Sequence, residues 1–193
     1  KRMNNLLVAT FNFAVRFYNL KDNPCRLAGS MGKRKRTQIT FWTKEEYFKF
    51  IALVDDITKY TMFQTLYYTG MRIGELLALT YNDLDLDNGI IRINKTVNFK
   101  GGKVNVTSPK TPKSNRKITI PQILVKDLNN YNERIYVYKM TVRVFPYTKA
   151  SLYKELKKKS EQAVLKNIRV HDFRHSHASL LIDMGINPLL ISE

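Results

Sequence analysis

Between Asp87 and Pro121 the spacing of apolar residues changes from helical to alternating. That switch limits the chain to folds in which helices surround a small sheet. Asp87-Asn88-Gly89 is a turn signal, and Ile90, Ile91 and Ile93 follow it as a short strand. Gly101-Gly102 separates Val97 and Phe99 from Val104 and Val106, the pattern of a hairpin. A polar loop from Ser108 to Asn115 leads to Lys117-Ile118-Thr119-Ile120, a further strand ended by Pro121. Short turns between strands imply antiparallel pairing. On either side the signals are helical. Thr43 and Glu46 form a capping box ahead of Phe48, Phe50 and Ile51. Helices are predicted over about 59–68 and 72–79, interrupted at Thr69-Gly70, and over about 122–138, 149–164, 171–184 and 188–193. The expected class is α+β, mostly α, with helices packed around one small antiparallel β-sheet and no internal repeat.

Ahead of this body, Leu6, Leu7, Ala9, Phe11, Phe13, Ala14 and Phe17 form an apolar stripe, read as a helix to about Leu20. Lys1-Arg2 before Leu6-Leu7 has a faint look of a signal peptide. Asn12 and Arg16 interrupt the apolar run and no small-residue cleavage site follows, so that reading is set aside. The chain begins with Lys, so it is expected to be a processed chain or a piece of a larger one. Lys21-Asp22-Asn23-Pro24, Gly29, Gly32 and Lys33-Arg34-Lys35-Arg36 mark a basic linker, able to follow a phosphate backbone or simply to serve as a solvated hinge. The organisation expected is a helix over 1–20, a linker over 21–42 and a main domain over 43–193.

Charge narrows the function. Lys+Arg number 33 against 16 Asp+Glu, a formal net charge of +17. An acidic disordered chaperone is excluded, and an enzyme of small neutral metabolites has no use for such an excess. A polyanionic partner is implied, nucleic acid before an anionic membrane surface. The charge is clustered. Residues 1–36 carry nine basic residues and only Asp22 on the other side, and the stretch from Arg92 to Lys126 carries nine with no acid. At 44% hydrophobic residues the chain can still bury a core. No apolar run reaches the roughly 18 residues of a membrane span, so no membrane partner is expected. The lone Cys25 forbids an internal disulfide and points to a reducing compartment.

Three segments carry chemistry. In Thr69-Gly70-Met71-Arg72-Ile73-Gly74-Glu75-Leu76, Gly70 suits a sharp turn that would put Arg72 in the first turn of a helix, where backbone N–H groups and a guanidinium can meet a phosphate oxygen. Glu75, three residues on, could orient Arg72, or the two could be a plain surface pair. In Ser108-Pro109-Lys110-Thr111-Pro112-Lys113-Ser114-Asn115-Arg116, a lysine on a loop between strands can act as a mobile proton donor or point charge, or be merely solvated. In His171-Asp172-Phe173-Arg174-His175-Ser176-His177, His171 and Arg174 share a helical face, an imidazole beside a permanent cation, which suits phosphoryl chemistry. His171 and His175 also have metal-ligand spacing, but no Glu or Cys of metalloprotease spacing accompanies them. His175 and His177 are read as structural. Neither metal nor cofactor is expected.

In order and spacing these three segments together resemble the catalytic domain of the tyrosine recombinases, the phage integrase family, over roughly residues 43–193. The overall flavour is similar to integrases of Gram-positive phages and conjugative transposons. The resemblance implies that residues 1–20 are the last helix of a DNA core-binding domain. It implies a site-specific recombinase for integration and excision, in which a tyrosine hydroxyl attacks a phosphodiester and leaves a 3′-phosphotyrosyl linkage and a 5′-hydroxyl. Arg72 and Arg174 would then clamp the phosphate, Lys110 would protonate the leaving oxygen, and His171 would be the base or hydrogen-bond donor, with Glu75 in support. Lys33, Arg34, Lys35, Arg36, Lys113 and Arg116 would bind DNA phosphates.

The resemblance further implies double-stranded DNA as partner, a parent tetrameric on two duplexes, a fragment monomeric without DNA, and a bacterial cytoplasmic, nucleoid-associated location. The pattern departs in one respect: the last of 11 tyrosines is Tyr153, upstream of His171. No tyrosine occupies the nucleophile position, so these residues alone are expected not to cleave DNA. A non-catalytic DNA-binding regulator built on the same fold is the alternative. A nuclease or RNA-binding domain is weaker, lacking paired carboxylates or an aromatic RNA-recognition motif.

Overall fold

The computed structural model describes residues 2–29, 40–100, 103–107, 115–135 and 140–187. The chain divides into two compact units, Lys1–Gln38 and Ile39–Glu193.

The first unit holds α1 (Arg2–Phe17) and a short α2 (Pro24–Leu27). The sequence read the second of these as linker. Asn23 makes it a helix: its Oδ1 accepts from the Cys25 N–H at 2.9 Å, and Pro24 fixes the first helical φ. The Asn23 amide also donates to the Val8 carbonyl and to Asn12 Oδ1, tying α2 to α1.

In the second unit, the Thr43–Glu46 capping box opens α3 (Lys44–Ile51) as expected, with both reciprocal hydrogen bonds formed. Asp56 caps α4 (Ile57–Thr69) by accepting from the Thr58 and Lys59 N–H groups. α4 is buried nearly all round, from Thr61 to Tyr67, as befits the central helix of a domain. It ends at Gly70, whose φ of +58° is the left-handed cap that glycine takes without strain. α5 (Ile73–Leu76) is shorter than the 72–79 helix expected, and Arg72 is its extended N-cap rather than a first-turn residue. α6 (Gln122–Arg134), α7 (Lys149–Gln162) and α8 (Phe173–Asp183) complete the helices of the described residues. Val170–Asp172 form a 3-10 turn ahead of α8, so His171 and Arg174 lie on successive elements and not on one helix face. The helix expected at 188–193 lies outside the described residues.

Two antiparallel sheets replace the single one expected. β1 (Leu84–Asp85), β2 (Ile90–Ile93) and β5 (Arg116–Thr119) form one, in the order β1-β2-β5. β3 (Thr96–Lys100) and β4 (Lys103–Thr107) form the hairpin. The break between them falls at Asn94-Lys95, where both side chains turn to Asp83. That carboxylate is 3% exposed and also accepts from the Thr80 N–H and hydroxyl. A charge buried so deeply is tolerable only with this many donors.

The core is aromatic. Trp42, Phe50, Phe63 and Phe173 pack in tilted, edge and stacked pairs with ring centres 4.8–5.8 Å apart. Trp42 also donates its indole N–H to the Lys166 carbonyl and its backbone N–H to Ser176 Oγ. Phe173 thus ties the start of α8 into the core, and α8 lies along α4. α7 is held to the loop before α4 and to its first turn by Lys159–Asp55 at 2.7 Å and Lys59–Glu155 at 2.8 Å.

Candidate functional site

Two segments meet through the packing of α8 on α4: the Gly70–Glu75 turn and the Val170–His177 segment. Met71 is 1% exposed and Phe173 is 1% exposed, so each segment is pinned by a core side chain beside its charged residues.

Glu75 organises the first segment. It is 5% exposed, and its Oε2 accepts from the Arg72 backbone N–H at 2.9 Å while Oε1 accepts from the Arg72 guanidinium at 3.0 Å. Arg116 donates to both oxygens of the same carboxylate, at 2.8 and 3.3 Å. Arg116 can do this because it faces Ile93 across the β2–β5 ladder, and directly opposed residues share a face of the sheet. Burial alone would push the Glu75 carboxyl up, but the two arginines outweigh it and hold the group below its ordinary value. Of the paired side chains, Arg72 remains 56% exposed and Arg116 30%. Sequence reasoning put Arg116 on a solvated phosphate-binding loop and missed its place beside Glu75. The signal available was its position at the start of a strand whose partner residues alternate inward and outward.

Arg174 completes the cluster from α8. Its Nη1 donates to the Gly70 carbonyl at 2.6 Å. Burial, then repulsion by Arg72, pushes its guanidinium below the ordinary arginine value, with Glu75 pulling the other way and Arg116 adding to the repulsion. The arginines are therefore close enough to feel one another, with Glu75 as the anion among them. His171 is exposed on the 3-10 turn. Partial desolvation, and then the Arg174 charge, pushes its imidazole below 6.5, against an opposing pull from Asp172. A neutral imidazole beside fixed cations can accept or relay a proton at neutral pH. Asp172 faces inward and accepts from the Arg169 backbone and guanidinium.

His177 is structural, as the sequence suggested. Its Nδ1–H donates to the Tyr67 carbonyl at 2.8 Å, and its ring lies against Gly70, where an added Cβ would come within 2.6 Å of Cδ2. Gly74 is needed for a different contact, since a Cβ there would meet Thr96 Oγ1 at 2.5 Å and the Val97 carbonyl at 3.1 Å. The backbone of the Arg72–Glu75 turn therefore sits directly on the root of the β3–β4 hairpin. Lys110 and Lys113, beyond that hairpin, and Lys33, Arg34, Lys35 and Arg36 lie outside the described residues. Among the described residues no group of three or more His, Cys, Asp or Glu side chains could hold a metal ion. None of their helices is long and apolar enough to cross a membrane.

These groups set the response to acid. Burial pushes the His177 imidazole down, against the Tyr67 hydrogen bond, so the folded chain resists charging a ring that the unfolded chain protonates near 6.5. Stability contributed by the neutral ring is therefore lost as pH falls below 6.5. The carboxylates of Glu75, Asp83 and Asp172 are held below their ordinary 3.8–4.5, so their contribution is present above that range and lost beneath it. His171, pushed down as well, adds to the same stage, so urea midpoints measured from pH 8 to 3 are expected to fall in two stages, and His177→Asn should diminish only the upper one. A single-stage fall unaffected by His177→Asn would contradict this.

Known proteins resemble this chain along its whole length. The ICEBs1 integrase of Bacillus subtilis (strain 168) is 33% identical over 215 residues, covering 100% of this chain and 57% of the relative. A tyrosine recombinase XerC-like protein of Caldanaerobacter subterraneus is 27% identical, again over 57% of its own length. The chain thus spans a little over half the length of these curated relatives. Among solved structures, the Tn1549 transposon integrase in complex with transposon right end DNA superposes with a TM-score of 0.79 at 22% identity, covering 98% of this chain and 68% of that one. A lambda integrase dimer bound to a core site gives 0.64 at 15% identity, over 100% and 69%. Both share the mostly helical fold with small antiparallel sheets. Residues 40–193 match the model of the phage integrase family, and the chain belongs to that family.

Proposed function

We propose that the chain is the catalytic portion of a site-specific DNA recombinase that integrates or excises DNA by strand cleavage and rejoining. The observation that carries this is the pair of arginines held at one turn, Arg72 by the Glu75 carboxylate and Arg174 by the Gly70 carbonyl, with the exposed His171 three residues before Arg174. Groups already held in place stabilise developing charge without reorganising during the reaction. Relatives named integrases and tyrosine recombinases, and a fold shared with integrases in complex with DNA, support the same reading.

In this mechanism a tyrosine oxygen attacks the phosphorus of a backbone phosphodiester and the P–O5′ bond breaks. Arg72 and Arg174 bind the non-bridging oxygens as negative charge builds on them. Lys110 gives its proton to the departing 5′-oxygen, and His171 takes or steadies the proton of the attacking hydroxyl. Attack by a 5′-hydroxyl of a second duplex on the phosphotyrosyl bond reverses the step and restores the tyrosine. The two arginines and the lysine supply the positive charge. No tyrosine follows Tyr153 within these 193 residues, so binding is the activity expected of them alone. On this reading the recombinase acts as a tetramer on two duplexes, inside the cell with the chromosome, and these 193 residues are monomeric without DNA.

Binding to duplex DNA should be weak, indifferent to sequence and steeply dependent on salt, because phosphate contacts dominate. With about four phosphates engaged, affinity should fall roughly 100-fold between 50 and 200 mM salt. Fluorescence anisotropy with two unrelated duplexes measures this, and an affinity that ignores salt would overturn the DNA reading.

A further inference from the structure

The way Glu75 holds Arg72 occurs a second time. Arg169 precedes the 3-10 turn as Arg72 precedes α5, and Asp172, 4% exposed, stands three residues on. The Asp172 carboxylate accepts from the Arg169 backbone N–H at 2.8 Å, from Nε at 3.1 Å and from Nη2 at 2.8 Å. Each arginine is thus gripped at backbone and side chain by one buried acid, which sets the guanidinium in place while leaving part of its fork to the outside. The Arg169 side chain is 69% exposed, two residues before His171.

Arg169 borders an open cavity of about 300 Å³ between α7 and the segment ahead of the 3-10 turn. Tyr153 and Lys157, one turn apart on α7, line its other side, with Asn167 at the edge and Leu156 and Ile168 beneath. Among the described residues, two acids pair with these cations. Asp172 is already engaged by Arg169, and Glu161 meets Lys157 only at 4.0 Å with both side chains more than half exposed. An ion pair of that kind contributes little, so the rim stays cationic. The surface of the cavity is mostly apolar, and the forked donor of Arg169, the point charge of Lys157 and the Tyr153 hydroxyl belong to its lining residues, a set of groups that suits the two non-bridging oxygens of a phosphodiester.

We propose that Arg169, Lys157 and Tyr153 form a second anion site, which takes a backbone phosphate of duplex DNA near the phosphate addressed by Arg72 and Arg174. This rests on the DNA-binding reading above. Such a site would fix the register of the duplex and carry no sequence information.

The test is the salt dependence of duplex binding by the full 193-residue chain. Arg169→Gln with Lys157→Gln should lower the slope of log affinity against log salt by about 1, equally for unrelated sequences. Lys44→Gln with Lys49→Gln on α3 removes the same charge elsewhere and should change the slope less. Equal changes in the two pairs would overturn the site while leaving DNA binding intact. A wild-type chain with no salt-dependent binding would instead remove the DNA reading, and the site with it. Because Arg169→Gln strips a buried carboxylate of its partner, Arg169→Lys with Lys157→Gln is measured alongside. It keeps a cation on Asp172 and should still weaken binding several-fold, and unchanged affinity there would also overturn the proposal. The Arg169 Nε–H resonance should shift with sub-saturating duplex and not with inorganic phosphate at equal phosphate concentration. The reverse pattern would make this a site for free phosphate and overturn the DNA assignment.

Discussion

On the recombinase reading, Arg174→Gln in a protein that carries these residues together with a tyrosine nucleophile is expected to cut the rate of strand cleavage by at least 100- to 1,000-fold. That is the scale seen when one preorganised transition-state donor is lost, about 3–4 kcal/mol. The guanidinium is half-buried and fixed on the Gly70 carbonyl, so a glutamine can keep one hydrogen bond but not the charge. Arg174→Lys restores the charge without the planar fork and should recover only a small part of the rate. Duplex binding, dominated by many phosphates, should change much less than cleavage. Arg72→Gln should resemble Arg174→Gln, and the double variant should be little worse than either, since groups acting on one phosphate do not add. Phosphotyrosyl adduct formation on a nicked substrate measures all four. Cleavage within tenfold of wild type in Arg174→Gln would remove that arginine from the mechanism.

Gly70→Ala is expected to cost about 3 kcal/mol of stability, from two separable sources. The left-handed backbone at φ +58° costs a residue with a Cβ about 1–2 kcal/mol. The rest comes from the contact with His177, where the new Cβ would sit 2.6 Å from Cδ2. That ring cannot yield cheaply, because its Nδ1–H is committed to the Tyr67 carbonyl. A double-mutant cycle with His177→Ala isolates the second source, and in that background Gly70→Ala should cost only the conformational part. Gly70→Asn tests the first, since asparagine tolerates the left-handed region but keeps the clash. Additive costs in the cycle would show that the ring moves aside. The same substitution should disturb Arg174, whose anchor is the Gly70 carbonyl.

The fold was legible where local chemistry alone decides it. The Thr43–Glu46 box, the break at Thr69-Gly70 and the alternation at Ile90–Ile93 each set a boundary without help from distant residues. The short α2 was hidden because its cap, Asn23, also depends on Val8 and Asn12 in α1. The second sheet was hidden because the break at Asn94-Lys95 is made by Asp83, a partner no spacing rule reveals. At the site, Arg72 and Glu75 could be paired from their three-residue spacing. The same spacing at Arg169 and Asp172 went unread, although it was equally visible. The position of Arg116 at the start of a strand hinted that it turns inward, but its pairing with Glu75 also depends on the register of β5 against β2.

The placement of Phe173 between Asp172 and Arg174 has a consequence for genetics. From Val170 to His177, side chains buried in the protein (Val170, Asp172, Phe173, Ser176) are interleaved with those that face the site (His171, Arg174). In a saturation screen for lost recombination both groups would score as intolerant. Substitutions at the buried positions would give proteins that never accumulate, and those at His171 and Arg174 would give proteins that accumulate and do nothing. Pairing the screen with an abundance reporter would separate the two groups, and the positions that keep their abundance would mark the side of the 3-10 turn and of the first turn of α8 that faces the site.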